Sequence, residues 1–296
     1  MDTLRWDRRP TLRRPVLIAA FEGWSDAGDG ASTAARYLAD AWNARQFATI
    51  DPEEFYDFSE TRPLVRLTEG MARRIDWPSP ELSAAALPGS GRDIVFLRAA
   101  EPQLKWRTYC STVVGVAAEL GVELAVTLGA LLAGVPHTRP VRVTGTAGDR
   151  RLVQELGLRQ SRYEGPTGIV GVLHDAFRQA DIPSASLWAT VPHYVAQTLS
   201  PKATLALVRR TATLLGTGIE TVDLEIASAS YERQVTDVVE TDDEVSAYVH
   251  RLEEADDTGE LDDDQDSSVD PGDVPGGDAI AAEAERFLRD HGADDG

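Results

Sequence analysis

Residues 16–21 read VLIAAF, a continuous apolar run between Pro15 and Gly23. Such a run is typical of a strand buried on both faces, as in a parallel sheet covered by helices. From Gly28 to Ala44 the alanine, leucine and tryptophan residues recur at helical spacing, and a second strand is predicted at 46–50. The opening is therefore a strand–helix–strand unit, which predicts a right-handed parallel crossover.

The same alternation continues along the chain. We expect further strands at 93–98, 124–132, 141–146 and 184–191, and helices at 105–120, 149–156, 168–179 and 201–215. Ser200 before a proline and Thr167 before a glycine are predicted to cap their helices. Residues 55–80, rich in proline and aromatics, predict a β-hairpin excursion with strands near 64–68 and 72–77. The fold class is therefore α/β: a three-layer α/β/α sandwich with a mostly parallel sheet.

The end of the chain divides into helices and an acidic segment. Residues 222–252 predict C-terminal amphipathic helices, restarted by a capping box of Thr241 and Glu244, and we expect their apolar stripe and the hairpin in subunit contacts. Residues 253–296 hold 17 acidic residues and two arginines, so most of the net charge of −20 lies there. We expect a domain of residues 1–252 and an acidic, disordered tail, 253–296, with a short terminal helix at 279–289.

Composition narrows the function classes. No apolar run approaches the roughly 18 residues of a membrane span, and the first residues lack the pattern of a signal peptide, so a cytoplasmic protein is expected. The body before the tail is mildly acidic and lacks the basic face that nucleic-acid binding needs. With Cys110 as its one cysteine and no histidine or aspartate pair at ligand spacing, the chain is expected to bind no metal and no cofactor.

Candidate site residues lie in loops at the carboxyl ends of strands, where ligands of open α/β sheets bind. The first loop contributes Gly23, Trp24, Ser25 and Asp26. A phosphate loop would carry lysine where Asp29 stands, and a nucleophile elbow would carry glycine where Ala27 stands. Two interpretations remain: a Ser25 nucleophile with alanine in place of that glycine, or a tight turn whose Ser25 or Asp26 caps the next helix, which we prefer.

Three further loops supply the other candidates: His137, Thr144, Gly145, Thr146, Glu164, Gly165, Pro166, Thr167, Gly168 and His193. His137 is read as a general base or as a structural histidine. Residues 144–146 are read as an anion site of backbone N–H groups or as a simple turn. Residues 164–168 precede a helix N-terminus that would admit a ligand, with Glu164 favouring an amine or ribose hydroxyl over phosphate. The order Ser25–acid–His193 also permits a catalytic triad, although chance satisfies that order easily.

Four stretches together resemble the PAC2 family, the relatives of proteasome assembly chaperone 2, in its actinobacterial form. They are FEGWSDAGDGAS (21–32), GALLAGVPHTRPVRVTGTA (129–147), YEGPTGIVGVLHDAF (163–177) and LWATVPHYV (187–195). The resemblance spans about residues 14–220. It implies a phosphorylase/hydrolase-like α/β/α fold, self-association into homo-oligomers and proteasome core subunits as partners, with no catalytic residue to transfer. Proteasome-acting relatives commonly end in a hydrophobic-Tyr-X motif, whereas this sequence ends HGADDG.

Two functional hypotheses follow. The first is a non-enzymatic interaction protein, a homo-oligomer resembling proteasome assembly chaperones. The alternative is a hydrolase or nucleoside-phosphorylase-like enzyme whose site lies at the strand carboxyl ends. A Ser25 that contacts an imidazole inside a concave pocket would favour the enzyme.

Overall fold

A computed structural model describes residues 3–68, 72–87, 89–159 and 164–259. Within these ranges the strands are β1 (Leu4–Trp6), β2 (Val16–Glu22), β3 (Arg45–Ile50), β4 (Leu64–Thr68), β5 (Ala72–Asp76), β6 (Glu81–Ala86), β7 (Asp93–Ala100), β8 (Leu124–Ala133), β9 (Val143–Ala147) and β10 (Ser184–Pro192). The α-helices are α1 (Gly30–Ala41), α2 (Trp106–Leu120), α3 (Arg150–Leu156), α4 (Ile169–Gln179), α5 (Pro201–Leu215), α6 (Val222–Val239) and α7 (Asp243–Thr258).

Eight strands form one mixed sheet in the order β1-β3-β6-β7-β2-β8-β10-β9. The four central strands, β7, β2, β8 and β10, run parallel to one another. At the two edges β9 and the β1-β3-β6 group pair antiparallel. The run 16–21 lies in β2 near the middle of the sheet and is buried on both faces, as its composition predicts.

Helices cover both faces of the sheet. Alternate side chains of a strand point to opposite faces, so Ile18 packs with Leu38 of α1 and Leu207 of α5. Its neighbour Leu17 packs on the other face with Tyr109 of α2 and Leu173 of α4. The predicted three-layer α/β/α fold is confirmed.

Two strands have no counterpart in the sequence prediction, β1 and β6. The β6 sequence, ELSAAA, lacks the β-branched and aromatic residues that favour strands, and its pairing with β3 and β7 holds it in the sheet. Because β6 is antiparallel to both neighbours, β3 runs in the same direction as β2, as expected of the opening unit. The two strands are nevertheless separated by β6 and β7.

The predicted hairpin is present as a separate two-stranded sheet of β4 and β5. Val65 lies opposite Ile75, and Leu67 is two residues along β4 from Val65, so the three side chains share one face. Val65 is 63% exposed, Ile75 is 52% exposed and Leu67 is 68% exposed. We call these three residues the hairpin face. On the opposite side, Arg66 forms an ion pair with Asp76 at 2.6 Å.

The caps of the C-terminal helices are partly as predicted. The side chain of Ser200 caps α5, which confirms that prediction. The capping box of Thr241 is wrong, because the carboxylate of Asp242 accepts the bonds from two backbone amides in the first turn of α7. The Thr241 hydroxyl instead donates to the carbonyl oxygen of Val238.

The apolar stripe of α6 and α7 is buried within the chain, contrary to the expected subunit contact. Side chains of the two helices form one cluster with two residues from elsewhere in the chain: Tyr231, Val235, Val239, Val245, Val249 and Leu252 with Tyr194 and Val195. Tyr194 and Val195 belong to the short turn after β10. The apolar surface of these two helices therefore covers the turn after β10.

Helix α7 extends beyond Leu252, the predicted end of the domain, to Thr258. Its last turns contact the body, where Glu253 accepts a hydrogen bond from Thr138. The predicted tail from residue 260 onward, with the helix expected at 279–289, lies outside the described residues. In the described part of the chain, no helix has the length and apolar character to cross a membrane.

Candidate functional site

The loop between β2 and α1 forms a turn that buries two of its polar side chains. Gly23 has a φ of 116°, and its carbonyl oxygen accepts a bond from the Asp26 amide at 3.0 Å. Asp26 Oδ1 accepts bonds from the amides of Ala31 at 2.6 Å and Ser32 at 3.1 Å. Burial raises the pKa of Asp26, and these bonds oppose the rise. A carboxylate of the loop therefore occupies the N-terminus of α1, as the preferred sequence interpretation expects.

A second carboxylate occupies the N-terminus of α4. Glu101 follows β7, and its Oε1 accepts a bond from the amide of Ile169, the first residue of α4, at 2.8 Å. A Cβ at Gly168 would lie 2.7 Å from this oxygen and 2.9 Å from the ring of Trp24, so a larger residue there would displace the carboxylate or the ring. The structure thus brings Gly23, Trp24 and Gly168 together around Glu101, a residue that the sequence analysis did not single out.

The remaining residues of the loop before α4 lie outside this contact. Glu164, Gly165, Pro166 and Thr167 are exposed. The predicted cap by Thr167 is wrong: no side-chain bond from it caps α4, because Glu101 supplies that bond.

Ser25 has no base beside it. Its hydroxyl is buried, 3% exposed, and has no hydrogen-bond partner among the described residues. His193, the predicted third member of a triad, bonds elsewhere: Nδ1 to the carbonyl oxygen of Ala133 at 3.2 Å and Nε2 to the Tyr248 hydroxyl at 3.4 Å. The structure does not assemble the Ser25–acid–His193 triad.

His137 belongs to a buried network below the C-terminal helices. Its Nδ1 lies 2.9 Å from the Tyr194 hydroxyl, which also accepts a bond from the His137 amide, and its Nε2 lies 3.0 Å from Thr236 Oγ1. Thr236 donates to the carbonyl oxygen of Glu232, so Nε2–H donates to Thr236 and Nδ1 accepts from Tyr194. Burial chiefly, with the Lys202 ammonium, lowers the pKa of His137 to about 4. The geometry makes His137 a structural histidine.

Residues 144–146 lie in β9 and form no turn. Gly145 pairs with Leu187 of β10, and a Cβ at this glycine would lie 2.3 Å from Leu158. The hydroxyl of Thr146 lies 2.7 Å from that of Ser186. The backbone of these residues therefore completes the sheet.

The described ranges offer neither a metal site nor a reactive thiol. No group of three or more histidine, cysteine or acidic side chains there is placed to hold a metal ion. Cys110 is buried in α2, and burial raises the pKa of its thiol to about 12. Its environment is that of a structural cysteine.

Comparison with known proteins gives a consistent result. The model of the PAC2 family matches residues 20–239. A PAC2 family protein from Streptomyces avermitilis is 46% identical, with a TM-score of 0.75, and the alignment covers 79% of this chain and 99% of that one. A Mycobacterium tuberculosis proteasome-assembly chaperone homologue is 44% identical over the same shares, with a TM-score of 0.72.

A more distant similarity concerns the fold alone. An archaeal proteasome activator from Pyrococcus furiosus is 16% identical, with a TM-score of 0.66 over 80% of this chain and 98% of that one. No curated protein matches the chain in sequence.

Proposed function

The chain belongs to the PAC2 family, and from that premise we propose that it is a non-enzymatic, cytoplasmic interaction protein that forms a homo-oligomer and engages the proteasome core. Its similarity to a proteasome-assembly chaperone homologue, 44% identity over 99% of that protein, supports the partner. The observation that carries the proposal is that carboxylates of the chain itself bind the N-termini of α1 and α4 at the strand carboxyl ends.

Both N-termini are filled by side chains of the chain itself. An enzyme of the phosphorylase type would need free N–H groups there to bind phosphate. In this structure Asp26 accepts the bonds of α1 and Glu101 accepts that of α4. A phosphate at either N-terminus would have to displace the carboxylate bound there, which supports an interaction protein over the phosphorylase-like alternative.

The surroundings of Ser25 support the same choice over a hydrolase. A serine nucleophile needs a base within hydrogen-bond reach. Both ring nitrogens of His137, His174 and His193 have other partners. Ser25 is buried, and its hydroxyl has no hydrogen-bond partner in the part of the chain that the structure describes.

The hairpin face supports self-association. A two-stranded sheet with three exposed aliphatic side chains on one face is only marginally stable in water by itself, and a second copy would cover that face. A complementary surface exists on α6, where Val222 and Ile226 are 65% and 66% exposed beside the acidic Asp223 and Glu225. Arg73 lies opposite Leu67 and so shares the hairpin face, which gives the two surfaces matching apolar character and opposite charge. Contacts between two different surfaces close into a ring when the rotation from one subunit to the next closes, and extend into a filament when it does not.

Affinity capture tests the partner. The full chain, tagged and expressed in its native host, should co-purify proteasome core subunits. A capture that contains no core subunits at native expression levels would contradict the proposed role.

Light scattering after chromatography tests the oligomer. At tens of micromolar the unmodified chain should elute as an oligomer, and Val65→Glu with Leu67→Glu should elute as a monomer. Leu104→Glu, at an apolar side chain that is 48% exposed outside the hairpin, is the matched control and should remain oligomeric. A monomeric unmodified chain would contradict self-association, and an oligomeric double variant would contradict the hairpin contact.

A further inference from the structure

A group of arginines lies at the β9 edge of the sheet, next to the candidate residues Thr144 and Gly145. A cavity of about 170 Å³ is lined there by Arg142, Thr144, Gly145, Gly157, Arg159 and Arg210. These residues come from the strand β9 and the segment before it, from the turn and bridge after α3, and from α5. Three arginines therefore line one concave surface of a chain whose net charge is −20.

Two of these guanidinium groups lack an acidic partner in the described part of the chain. Arg210 donates to the carbonyl oxygen of Leu156 at 3.2 Å, and neither Arg210 nor Arg159 forms an ion pair with a described residue. Guanidinium groups recognise carboxylates and phosphates through paired N–H donors. The cavity has the chemistry of an anion site.

The end of α7 leads toward this cavity. Asp257 pairs with Arg139 at 2.9 Å, outside the cavity. One residue earlier, Asp256 pairs with Arg142, which lines the cavity. Gly259 ends the helix in the left-handed conformation, with φ of 78°. The helix therefore ends three residues after the pair that Asp256 forms with Arg142.

The residues that follow carry the complementary charge. Segment 260–264 reads ELDDD, four carboxylates in five residues. An extended chain covers about 3.3 Å per residue, so the five residues from Gly259 to Asp264 span up to about 17 Å beyond the end of α7. Asp256, in the last turns of the helix, pairs with Arg142 of the cavity wall. A tethered segment also has a high effective concentration at such a site.

We propose that this cavity is an anion-binding site and that its ligand is the acidic segment 260–264 of the same chain. Its carboxylates pair with Arg159 and Arg210 and continue the aspartate–arginine pairs made by the last turn of α7. This proposal is independent of the proteasome partner and of the hairpin contact.

Paramagnetic NMR tests this docking. Cys110 is buried, so a nitroxide label can be attached selectively to Asp263→Cys in the full chain. At low salt the label should strongly broaden the amide signals of Gly145 and Gly157 in the cavity. Salt at 0.5 M should restore them, because screening shortens the reach of exposed charges.

Two double variants of equal charge provide the comparison. Arg159→Gln with Arg210→Gln should abolish the broadening, with unchanged circular dichroism as the check on folding. Arg107→Gln with Arg178→Gln, at exposed positions on the helices of the opposite layer, should retain it.

Three outcomes would overturn the proposal. The first is normal Gly145 and Gly157 signals in the labelled chain at low salt. The second is broadening that survives the loss of Arg159 and Arg210. The third is broadening that appears only when a labelled chain is mixed with an isotope-enriched, unlabelled chain, which would make the ligand the segment of a second copy.

Discussion

Acidification should destabilise the chain through His137. This side chain is 3% exposed, and burial chiefly lowers its pKa from about 6.5 to about 4, while Glu232 and Glu253 act in the opposite direction. Protonation would also place a hydrogen on Nδ1, which already accepts the Tyr194 hydroxyl. In the unfolded chain the same ring takes up a proton near pH 6.5. Between these two values the unfolded state binds more protons, so stability falls as the pH falls.

The size of the effect follows from the two pKa values. Linkage predicts that His137 lowers the free energy of unfolding by about 1.3 kcal/mol between pH 7.5 and pH 5.5, and by about 3 kcal/mol once the pH is below 4. Above about pH 7 the contribution vanishes, because the ring is neutral in both states. The penalty belongs to the titration of the ring, so it should disappear in a variant that cannot titrate.

Urea unfolding of the unmodified chain and of His137→Asn, each at pH 7.5 and pH 5.5, measures this difference. The loss of stability on acidification should be about 1.3 kcal/mol smaller in the variant. The control is Thr236→Val, which removes a hydrogen-bond partner of the ring but keeps the titrating group, and should keep the full loss. Equal losses in the unmodified chain and His137→Asn would refute the reasoning.

Three further predictions concern single sites. Gly145→Ala should lower the free energy of unfolding by about 1–3 kcal/mol, because its methyl group would lie 2.3 Å from Leu158; a urea midpoint unchanged by the substitution would show that Leu158 moves aside freely. Asp242→Ala should cost about 1 kcal/mol by removing the cap of α7, whereas Thr241→Ala should leave thermal unfolding nearly unchanged, and the reverse ranking would restore the capping box. Cys110 should resist a thiol reagent at pH 8 in the native chain and react fully in denaturant, and rapid native labelling would contradict its burial.

The central strands were predictable because their sequences show that both of their faces are buried. Continuous apolar runs such as 16–21 and 124–132 can be buried only between two layers of helices. β6 was not, since the alanines of ELSAAA fit a helix at least as well as a strand. Its strand conformation comes from pairing with β3, which is distant in sequence, and with β7, the next strand along the chain.

The candidate site was predictable only in its local part. The turn at Gly23 and the capping by Asp26 are contacts within a few residues, which a sequence pattern can express. The bond from Ile169 to Glu101 joins residues 68 apart and depends on β7 lying next to β2. Thr241 and Asp242 are both good caps one residue apart, so the pattern could not choose between them.

The carboxylates of Asp26 and Glu101 have a consequence for how such a site could change. Each is an intramolecular ligand, held by the backbone at a local concentration that no free anion in solution matches. Each carboxylate therefore competes with any free anion for the amides of its helix N-terminus. In this chain a single substitution, Asp26→Ala or Glu101→Ala, would remove one of these internal ligands and leave backbone amides free to bind small exogenous carboxylates such as formate or acetate.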